Sequence, residues 1–153
     1  MAPMVTIRRQ DAEGAEIEAL LAEREGYLEG LYPGRSGDRR RAEAAHVETL
    51  FFTAWLDGRL AGCGALIPQG GYGELKRIFV RPQARRSGVG AQLVARLEAE
   101  ALACGLPLVR LEVGVRQPEA RALYLRAGYG ETGPFGTYRA DPLSGFLEKA
   151  LKA

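Results

Sequence analysis

Hydrophobic and polar residues follow strand and helix periods along almost the whole chain. Residues Met4 to Arg8 alternate, which predicts a short first strand. Apolar residues then recur at helical spacing from Ala12 to about Glu29. Gly26 interrupts this pattern, so either one helix or two helices that meet near Tyr27 would fit it. A turn-rich loop, Pro33 to Asp38, follows.

The centre of the chain reads as three consecutive strands. The first two, Thr49 to Leu56 and Arg59 to Ile67, flank the dipeptide Asp57-Gly58. This dipeptide suits a tight hairpin turn, because both turn positions require φ > 0. Alternation resumes from Glu74 to Val80, which predicts the third strand, and Pro82 ends it.

The second half of the chain mixes helices and strands. Proline and glycine mark the helix ends: Pro118 stands at a predicted start, and Gly105 and Gly128 follow predicted ends. The predicted elements are a helix over Val89 to Cys104, a strand over Leu108 to Val113, a helix over Glu119 to Ala127, and strands over Gly130 to Tyr138 and Phe146 to Leu151. This order predicts an α/β fold, and the length of 153 residues fits a single domain, 1–153.

Composition and charge narrow the possible partners. The chain is 46% hydrophobic and 26% charged, as ordinary globular proteins are. Its net charge of +2 is too small to indicate nucleic acid, and we interpret the cluster Arg39 to Arg41 as a solvated loop. No apolar run reaches the ~18 residues that a membrane span needs. We therefore expect no nucleic acid or membrane partner and a cytoplasmic location.

The cysteines and the lone histidine carry little chemical signal. Cys63 and Cys104 lie far apart in apolar stretches, without the spacing of metal ligands. We expect both to be small buried hydrophobic residues, and we expect no metal site. His46 lies on the approach to a predicted strand and is a weak catalytic candidate.

The most informative segment is Val80 to Gly90, where a predicted strand runs into a helix. A helix start leaves backbone N–H groups without partners and carries a partial positive charge. Gly88 and Gly90 let a phosphate approach the main chain, and Arg85 and Arg86 add charged donors. This pattern predicts a pyrophosphate cradle.

Two common phosphate motifs can be excluded. The first strand is not followed by Gly-x-Gly-x-x-Gly, and the chain contains no Gly-Lys-Ser/Thr. The motif that remains is Arg-x-x-Gly-x-Gly over residues 85–90, preceded by a strand that ends Ile78-Phe79-Val80-Arg81-Pro82.

Here the chain closely resembles the GNAT acetyltransferases, whose signature is Gln/Arg-x-x-Gly-x-Gly/Ala after such a strand. A second motif, Ala122-Leu123-Tyr124 followed by Ala127-Gly128-Tyr129, looks like the family's Leu-Tyr…Gly-Phe/Tyr helix. The resemblance spans roughly Glu74 to Tyr129, and the element order extends it to nearly the whole chain. The tail, Gly133 to Tyr138 with Asp141 to Ser144, is similar to one group of small bacterial acetyltransferases.

The resemblance implies a mixed, mostly antiparallel sheet that splays between its fourth and fifth strands and is flanked by helices. It implies acetyl-CoA as co-substrate, with the backbone of Ile78, Phe79 and Val80 along the pantetheine arm. The diphosphate would meet the amides of Arg86, Ser87, Gly88, Val89, Gly90 and Ala91, with Arg85 nearby. Gln117 stands where relatives often have asparagine, so its contact with the coenzyme and its quality as a helix cap are open.

The resemblance also implies catalytic roles. An alkyl amine with a pKa of about 10.4 must lose its proton before it attacks a thioester, a cost of about 4–5 kcal/mol at pH 7. Glu74 lies eleven residues before Arg85, where histone-acetylating relatives carry their base. Glu112 is the alternative, at the position used by ribosomal-protein N-terminal acetyltransferases. Tyr124 would protonate the leaving thiolate, and the N–H of Phe79 or Val80 would stabilise the oxyanion.

The predicted function is N-acetyl transfer to a primary amine of a small molecule. Acetylation of a protein N-terminus or lysine is one alternative, and a non-catalytic acyl-CoA-binding module is another. Tyr27, Tyr32 and Tyr138 are candidates for the acceptor pocket. Because dimers are common in the family, a homodimer is also an expectation.

Overall fold

The computed structural model describes residues 2–39 and 48–152. Arg40, Arg41 and His46 therefore lie outside the described residues. The strands are β1 Val5–Arg9, β2 Leu50–Leu56, β3 Arg59–Pro68, β4 Gly73–Val80, β5 Leu108–Gly114, β6 Gly130–Thr132 and β7 Ser144–Ala150. The helices whose bounds both lie in the described residues are α1 Ala15–Leu31, α2 Val89–Ala103 and α3 Pro118–Arg126, with a 3₁₀ turn over Pro82–Ala84.

The seven strands form one sheet in the order β1-β2-β3-β4-β5-β7-β6. Neighbouring strands are antiparallel except for β4 and β5, which are parallel. The predicted hairpin joins β2 to β3, with φ of 50° at Asp57 and 83° at Gly58. These findings confirm the α/β class and the mixed, mostly antiparallel sheet.

The pairing of β4 with β5 is short. It covers only Gly73 with Val109, Glu74 with Arg110, and Leu75 with Leu111. Beyond the last pair the two strands separate, so Lys76–Val80 of β4 and Glu112–Gly114 of β5 do not pair with one another. We call this opening the fork, and it confirms the expected splay between the fourth and fifth strands.

A β-bulge in β4 lies just inside the fork. Cys63 of β3 aligns with Phe79, but Ala65 aligns with Lys76, so two residues of β4 oppose one residue of β3. Arg77 takes the extra position with a φ of 56°. The bulge reverses the alternation of side chains, so Phe79 lies on the same face as Glu74 and Lys76. The sequence did not predict this bulge.

The two faces of the sheet carry separate hydrophobic clusters. On the α1 face, Ile17 and Leu20 pack with Phe51 and Phe79. The larger cluster lies on the α2 face and includes Phe52, Leu66, Leu75, Leu93, Leu97, Val109, Leu111, Val113 and Tyr124. Alternate β5 residues therefore face this cluster, while Arg110 and Glu112 point to the α1 face.

Of the two alternatives that the sequence left open for the first helical segment, the structure shows one continuous helix, and a Cβ on Gly26 would meet nothing within 4 Å. Two sequence expectations need correction. The strand predicted over Gly130–Tyr138 ends at Thr132, because Pro134 has no N–H to donate and the chain turns there to bury Phe135. Cys104 is exposed at the end of α2, whereas Cys63 is buried as expected.

The described helices include none that is both long enough and apolar enough to cross a lipid bilayer. The described residues also hold no group of three or more His, Cys, Asp or Glu side chains that could bind a metal ion.

We predict that Gly62→Ala destabilises the protein by about 1–3 kcal/mol. A Cβ on Gly62 would lie 2.5 Å from the Phe79 carbonyl oxygen, which is backbone and cannot turn away. Gly130→Ala is the matched control, since a Cβ on this strand glycine meets nothing within 4 Å. Urea unfolding measures both. Equal midpoints for the two variants would contradict the close packing of β3 on β4.

Candidate active site

A cleft of about 1580 Å³ opens at the fork. α1, the start of α2, α3 and the loop between β6 and β7 form its walls. The predicted site residues that line it are Glu74, Ile78, Phe79, Val80, Arg85, Arg86, Gly88, Val89, Gly90, Ala91, Glu112, Gln117 and Tyr124. Ser87 is the exception, because its hydroxyl turns back to donate to the Ala84 carbonyl at 2.5 Å. The cleft thus brings together residues from positions 74 to 124.

The N-terminus of α2 presents backbone donors to the cleft. Gly88 is the N-cap, with a φ of 82° and no side-chain capping bond. The Gln92 N–H donates to the Gly88 carbonyl at 3.1 Å, which starts the helical pattern. The N–H groups of Val89, Gly90 and Ala91 therefore have no carbonyl partner within the helix. Such a helix end binds anions.

Gly90 permits a close contact between helices. A Cβ at this position would lie 2.9 Å from Leu123 Cδ2 on α3. The glycine therefore allows the start of α2 to approach the helix that carries Tyr124. The sequence analysis expected Gly90 to leave room for a phosphate; in the structure, the position of its missing Cβ faces Leu123, so the glycine sets the distance between two walls of the cleft.

The backbone of β4 faces the fork at Val80. The Arg81 N–H donates to the Ala61 carbonyl of β3 at 2.8 Å. Because backbone groups alternate in direction along a strand, those of Val80 point away from β3 and those of Phe79 point toward it. The Val80 carbonyl accepts from Arg85 Nε at 3.3 Å, in agreement. Of the two candidate oxyanion donors, Val80 is the one whose N–H faces the opening.

Tyr124 has a buried hydroxyl with no hydrogen-bond partner among the described residues. Its side chain, 6% exposed, packs edge-on against Tyr129 with ring centroids 5.8 Å apart. The hydroxyl makes no hydrogen bond in the described part of the chain. Burial raises its pKa, and the charge of Glu112 raises it further, so the phenol keeps its proton. A buried donor without a partner is rare and indicates that a ligand supplies one.

Glu74 is a buried carboxylate held by a neighbour from the β6–β7 loop. It is 3% exposed, so a solvent-facing position on the strand is excluded. Tyr138 donates its hydroxyl proton to Oε2 at 2.6 Å, and Lys76 Nζ lies 3.8 Å from the same oxygen. Oε1 receives no hydrogen bond from the described residues and is available for chemistry.

Glu112 lies across the fork from this group. Its Oε2 accepts a hydrogen bond from the Ser144 hydroxyl at 2.6 Å. Burial raises the pKa of Glu112, and the charges of Asp141 and Glu74 raise it further. The Ser144 hydrogen bond and the charge of Lys76 oppose this effect without cancelling it. The result is a carboxyl group that binds its proton more tightly than an exposed glutamate does.

The Gln117 side chain hydrogen-bonds to a residue at the end of α1 instead of capping its own helix. It is the N-cap of α3 and makes no side-chain capping bond, as expected for glutamine. Instead, its Oε1 accepts from the Tyr32 hydroxyl at 3.2 Å, and that hydroxyl accepts from the Arg116 N–H at 3.1 Å. The pair joins the end of α1 to the β5–α3 turn.

Sequence reasoning missed how the two carboxylates are held. The Tyr138–Glu74 and Ser144–Glu112 contacts join residues 64 and 32 positions apart. Tyr138 was expected only as a wall of the acceptor pocket; in the structure it lines the cleft, as Tyr27 and Tyr32 do. The tail motif that contains Tyr138 and Ser144 was the available signal, because both partners come from it.

Comparison with known proteins places this site in a family. Residues 12–129 match the Acetyltransferase (GNAT) family. The IAA acetyltransferase of Azospirillum brasilense is 42% identical over 97% of this chain and 99% of its own length.

Two solved structures show the same fold. A Klebsiella pneumoniae protein assigned to the acyl-CoA N-acyltransferases superposes with a TM-score of 0.82 at 34% identity, covering 97% of this chain and 99% of that one. The PaiA N-acetyltransferase of Thermoplasma acidophilum, in complex with coenzyme A, superposes with a TM-score of 0.74 at 20% identity, covering 97% and 99%. The chain belongs to the GNAT family of acetyltransferases.

Proposed function

We propose that this protein transfers the acetyl group of acetyl-CoA to a primary amine of a small molecule, by direct attack of the amine with help from a general base. The observation that carries the proposal is the arrangement of two groups in one cleft. A buried carboxylate, Glu74, and a buried hydroxyl that has no partner in residues 2–39 and 48–152, Tyr124, both line the cleft that opens at the fork. Acyl transfer to an amine needs such a base and such an acid.

The residues at the fork fit acetyl-CoA. The unpartnered amides at the start of α2 and the guanidinium groups of Arg85 and Arg86 suit a diphosphate. The backbone of Ile78 and Val80 offers a strand edge to the amides of the pantetheine arm. When bound, the coenzyme supplies an acetyl group activated as a thioester. The coenzyme A complex of the Thermoplasma protein, which has the same fold, supports this assignment.

We assign Glu74 as the base. Its free oxygen, Oε1, takes the proton of the incoming ammonium, while the Tyr138 hydroxyl holds Oε2 in place. Glu74 also stands at the position of the base in histone-acetylating relatives. Glu112 is the second candidate, because burial raises its pKa and so makes its carboxylate a stronger proton acceptor.

The remaining groups stabilise charge that develops during transfer. The Val80 N–H, which faces the fork, donates to the oxygen of the acetyl carbonyl as that oxygen becomes negative. Tyr124 donates its phenolic proton to the departing sulfur. Its raised pKa keeps it protonated throughout the physiological pH range.

Contacts that join the walls of the cleft support a small acceptor rather than a protein. Arg35, just after α1, pairs with Asp141 of the β6–β7 loop at 2.8 Å, and both residues line the cleft. Arg116 also donates to the Leu31 carbonyl at 2.7 Å. These contacts tie the end of α1 to the β5–α3 turn and to the β6–β7 loop. Release of free thiol from acetyl-CoA with small amines and with lysine-containing peptides tests the proposal; transfer to peptides alone would contradict it.

We predict that Glu74→Gln lowers kcat by about 10²–10⁴-fold, because the amine loses its proton acceptor. The amide oxygen of glutamine can still accept from Tyr138, so the fold should be retained. Glu112→Gln is the matched control and should keep kcat within about tenfold. The pH profile of kcat for both variants is the measurement. Full activity of Glu74→Gln at every pH removes Glu74 as the base, and the reverse pattern assigns Glu112.

We predict that Tyr124→Phe lowers kcat by about 10²-fold or more while the KM for acetyl-CoA changes little. Stability should not fall, because the lost hydroxyl makes no hydrogen bond to the part of the chain that the structure describes. Tyr129→Phe is the control: it removes the hydrogen bond to Glu98 at 2.8 Å and should cost about 1–3 kcal/mol of stability with kcat retained. Unchanged turnover in Tyr124→Phe would rule out its role as the acid.

A further inference from the structure

Lys76 is a largely buried cation in the cleft whose role the proposed chemistry leaves open. It lies on β4 two residues after Glu74, before the bulge, so both side chains point to the same face. Its side chain is 15% exposed. An ammonium group that loses most of its hydration needs other partners in return.

The protein supplies only part of those partners. In the described part of the chain, the Lys76 ammonium donates no hydrogen bond. The Glu74 Oε2 oxygen, at 3.8 Å, is an ion-pair contact but lies beyond hydrogen-bond length. The Tyr138 ring centroid, at 5.5 Å, offers its face. An ammonium carries three N–H donors, so donors remain for a molecule in the cleft.

Arg110, on the neighbouring strand, is a cation whose contacts are purely structural, and it serves as a comparison for Lys76. Its Cα aligns with that of Glu74 on the neighbouring strand. Its guanidinium donates to Glu148 at 3.1 Å and lies over the Tyr72 ring at 4.8 Å, and it does not line the cleft. Lys76 lies near two carboxylates, Glu74 at 3.8 Å and Glu112, whose pKa its charge lowers, but in the described part of the chain it donates a hydrogen bond to neither, and it does line the cleft.

We propose that Lys76 binds an anionic group of the acceptor, and that the acceptor is an α-amino acid or a close analogue. The short distance between Lys76 and Glu74 is the reason for choosing this class of acceptor. Because Lys76 Nζ lies 3.8 Å from the carboxylate that we assign as base, an amine at Glu74 and an anion at Lys76 must be near neighbours in one molecule. An α-amino acid has its amine and carboxylate on the same carbon. A polyamine has no anion to offer.

The residues around this pair accommodate the remainder of an amino acid. Tyr72 and Tyr138 line the cleft, and the Tyr138 ring lies next to Lys76. Phe135 and Phe146 support them from behind, with ring centroids 5.0–5.8 Å from the two tyrosines or from each other. The wall is thus aromatic and rigid, which suits an apolar side chain.

This inference rests on the proposed function, and its test compares phenylalanine with phenylalaninamide as acceptors. The two differ at one group, which is a charged carboxylate in phenylalanine and a neutral amide in phenylalaninamide. The amine of phenylalaninamide is the less basic of the two amines, so intrinsic reactivity favours the amide at neutral pH. We expect the protein to reverse this order and prefer the carboxylate by about ten- to hundredfold in kcat/KM. Lys76→Met should bring the ratio of the two kcat/KM values down by the same factor, mainly through KM, and Lys76→Arg should restore part of it.

Lys149→Met is the matched control, since Lys149 also pairs with a glutamate, Glu98 at 2.9 Å, and lies over a tyrosine ring, but outside the cleft. Its substitution should leave the ratio unchanged. The inference is overturned if wild type shows no preference for the carboxylate, or if Lys76→Met retains it. Equal acetylation of both amines would leave the proposed function standing.

Calorimetry tests the role of Lys76 separately from the proposed acetyl transfer, in case no transfer is detected. Titration of the protein in the presence of coenzyme A with the same two amines reads binding alone. Tighter binding of phenylalanine than of its amide, lost in Lys76→Met, supports the role of Lys76 even if the acetyl transfer itself fails. Equal binding of the two amines overturns it.

Discussion

The architecture of the candidate site depends on one interruption in the sheet, where the backbone hydrogen bonds between β4 and β5 stop. β4 and β5 pair as far as Leu75 and Leu111 and then separate, in the middle of a seven-stranded sheet. Backbone groups inside a protein are almost always paired, so strands that part in this way leave a demand for hydrogen bonds. The bulge at Arg77 directs the rest of β4 away from its neighbour. A ligand with amide groups of its own can satisfy that demand, and pantetheine has two.

The groups that we propose for catalysis and acceptor binding take their positions from the same opening. Glu74 lies one residue before the last pair on β4, and Glu112 lies one residue after it on β5. Both point to the α1 face, while Leu75 and Leu111 anchor the other face in the hydrophobic cluster under α2. The sheet therefore presents carboxylates on one side of the fork and Tyr124, carried by α3, on the other. A rigid scaffold on the apolar face lets the polar face hold charged groups close together.

Much of this architecture could be predicted from the sequence. The features that could not be predicted depend on contacts or conformations that local sequence patterns do not encode. Hydrophobic periods and turn residues located most helices and strands, and the two motifs indicated the family and hence the splay. The bulge escaped because nothing marks Arg77 as a residue with positive φ. The short β6 escaped because Gly130–Tyr138 has strand-like composition, while burial of Phe135 decides its path. Contacts such as Tyr138 with Glu74 join distant positions, and local patterns carry no information about them.

Hydrogen exchange of backbone amides, with and without acetyl-CoA, tests the central claim most directly. If the coenzyme occupies the fork, exchange should slow at Val80 on the open edge of β4 and at residues 88–91 at the start of α2. The amide of Arg81, already bonded to β3, should change little and serves as an internal reference. Acetyl-CoA that binds without protecting the Val80 and 88–91 amides, or that does not bind, would contradict the account.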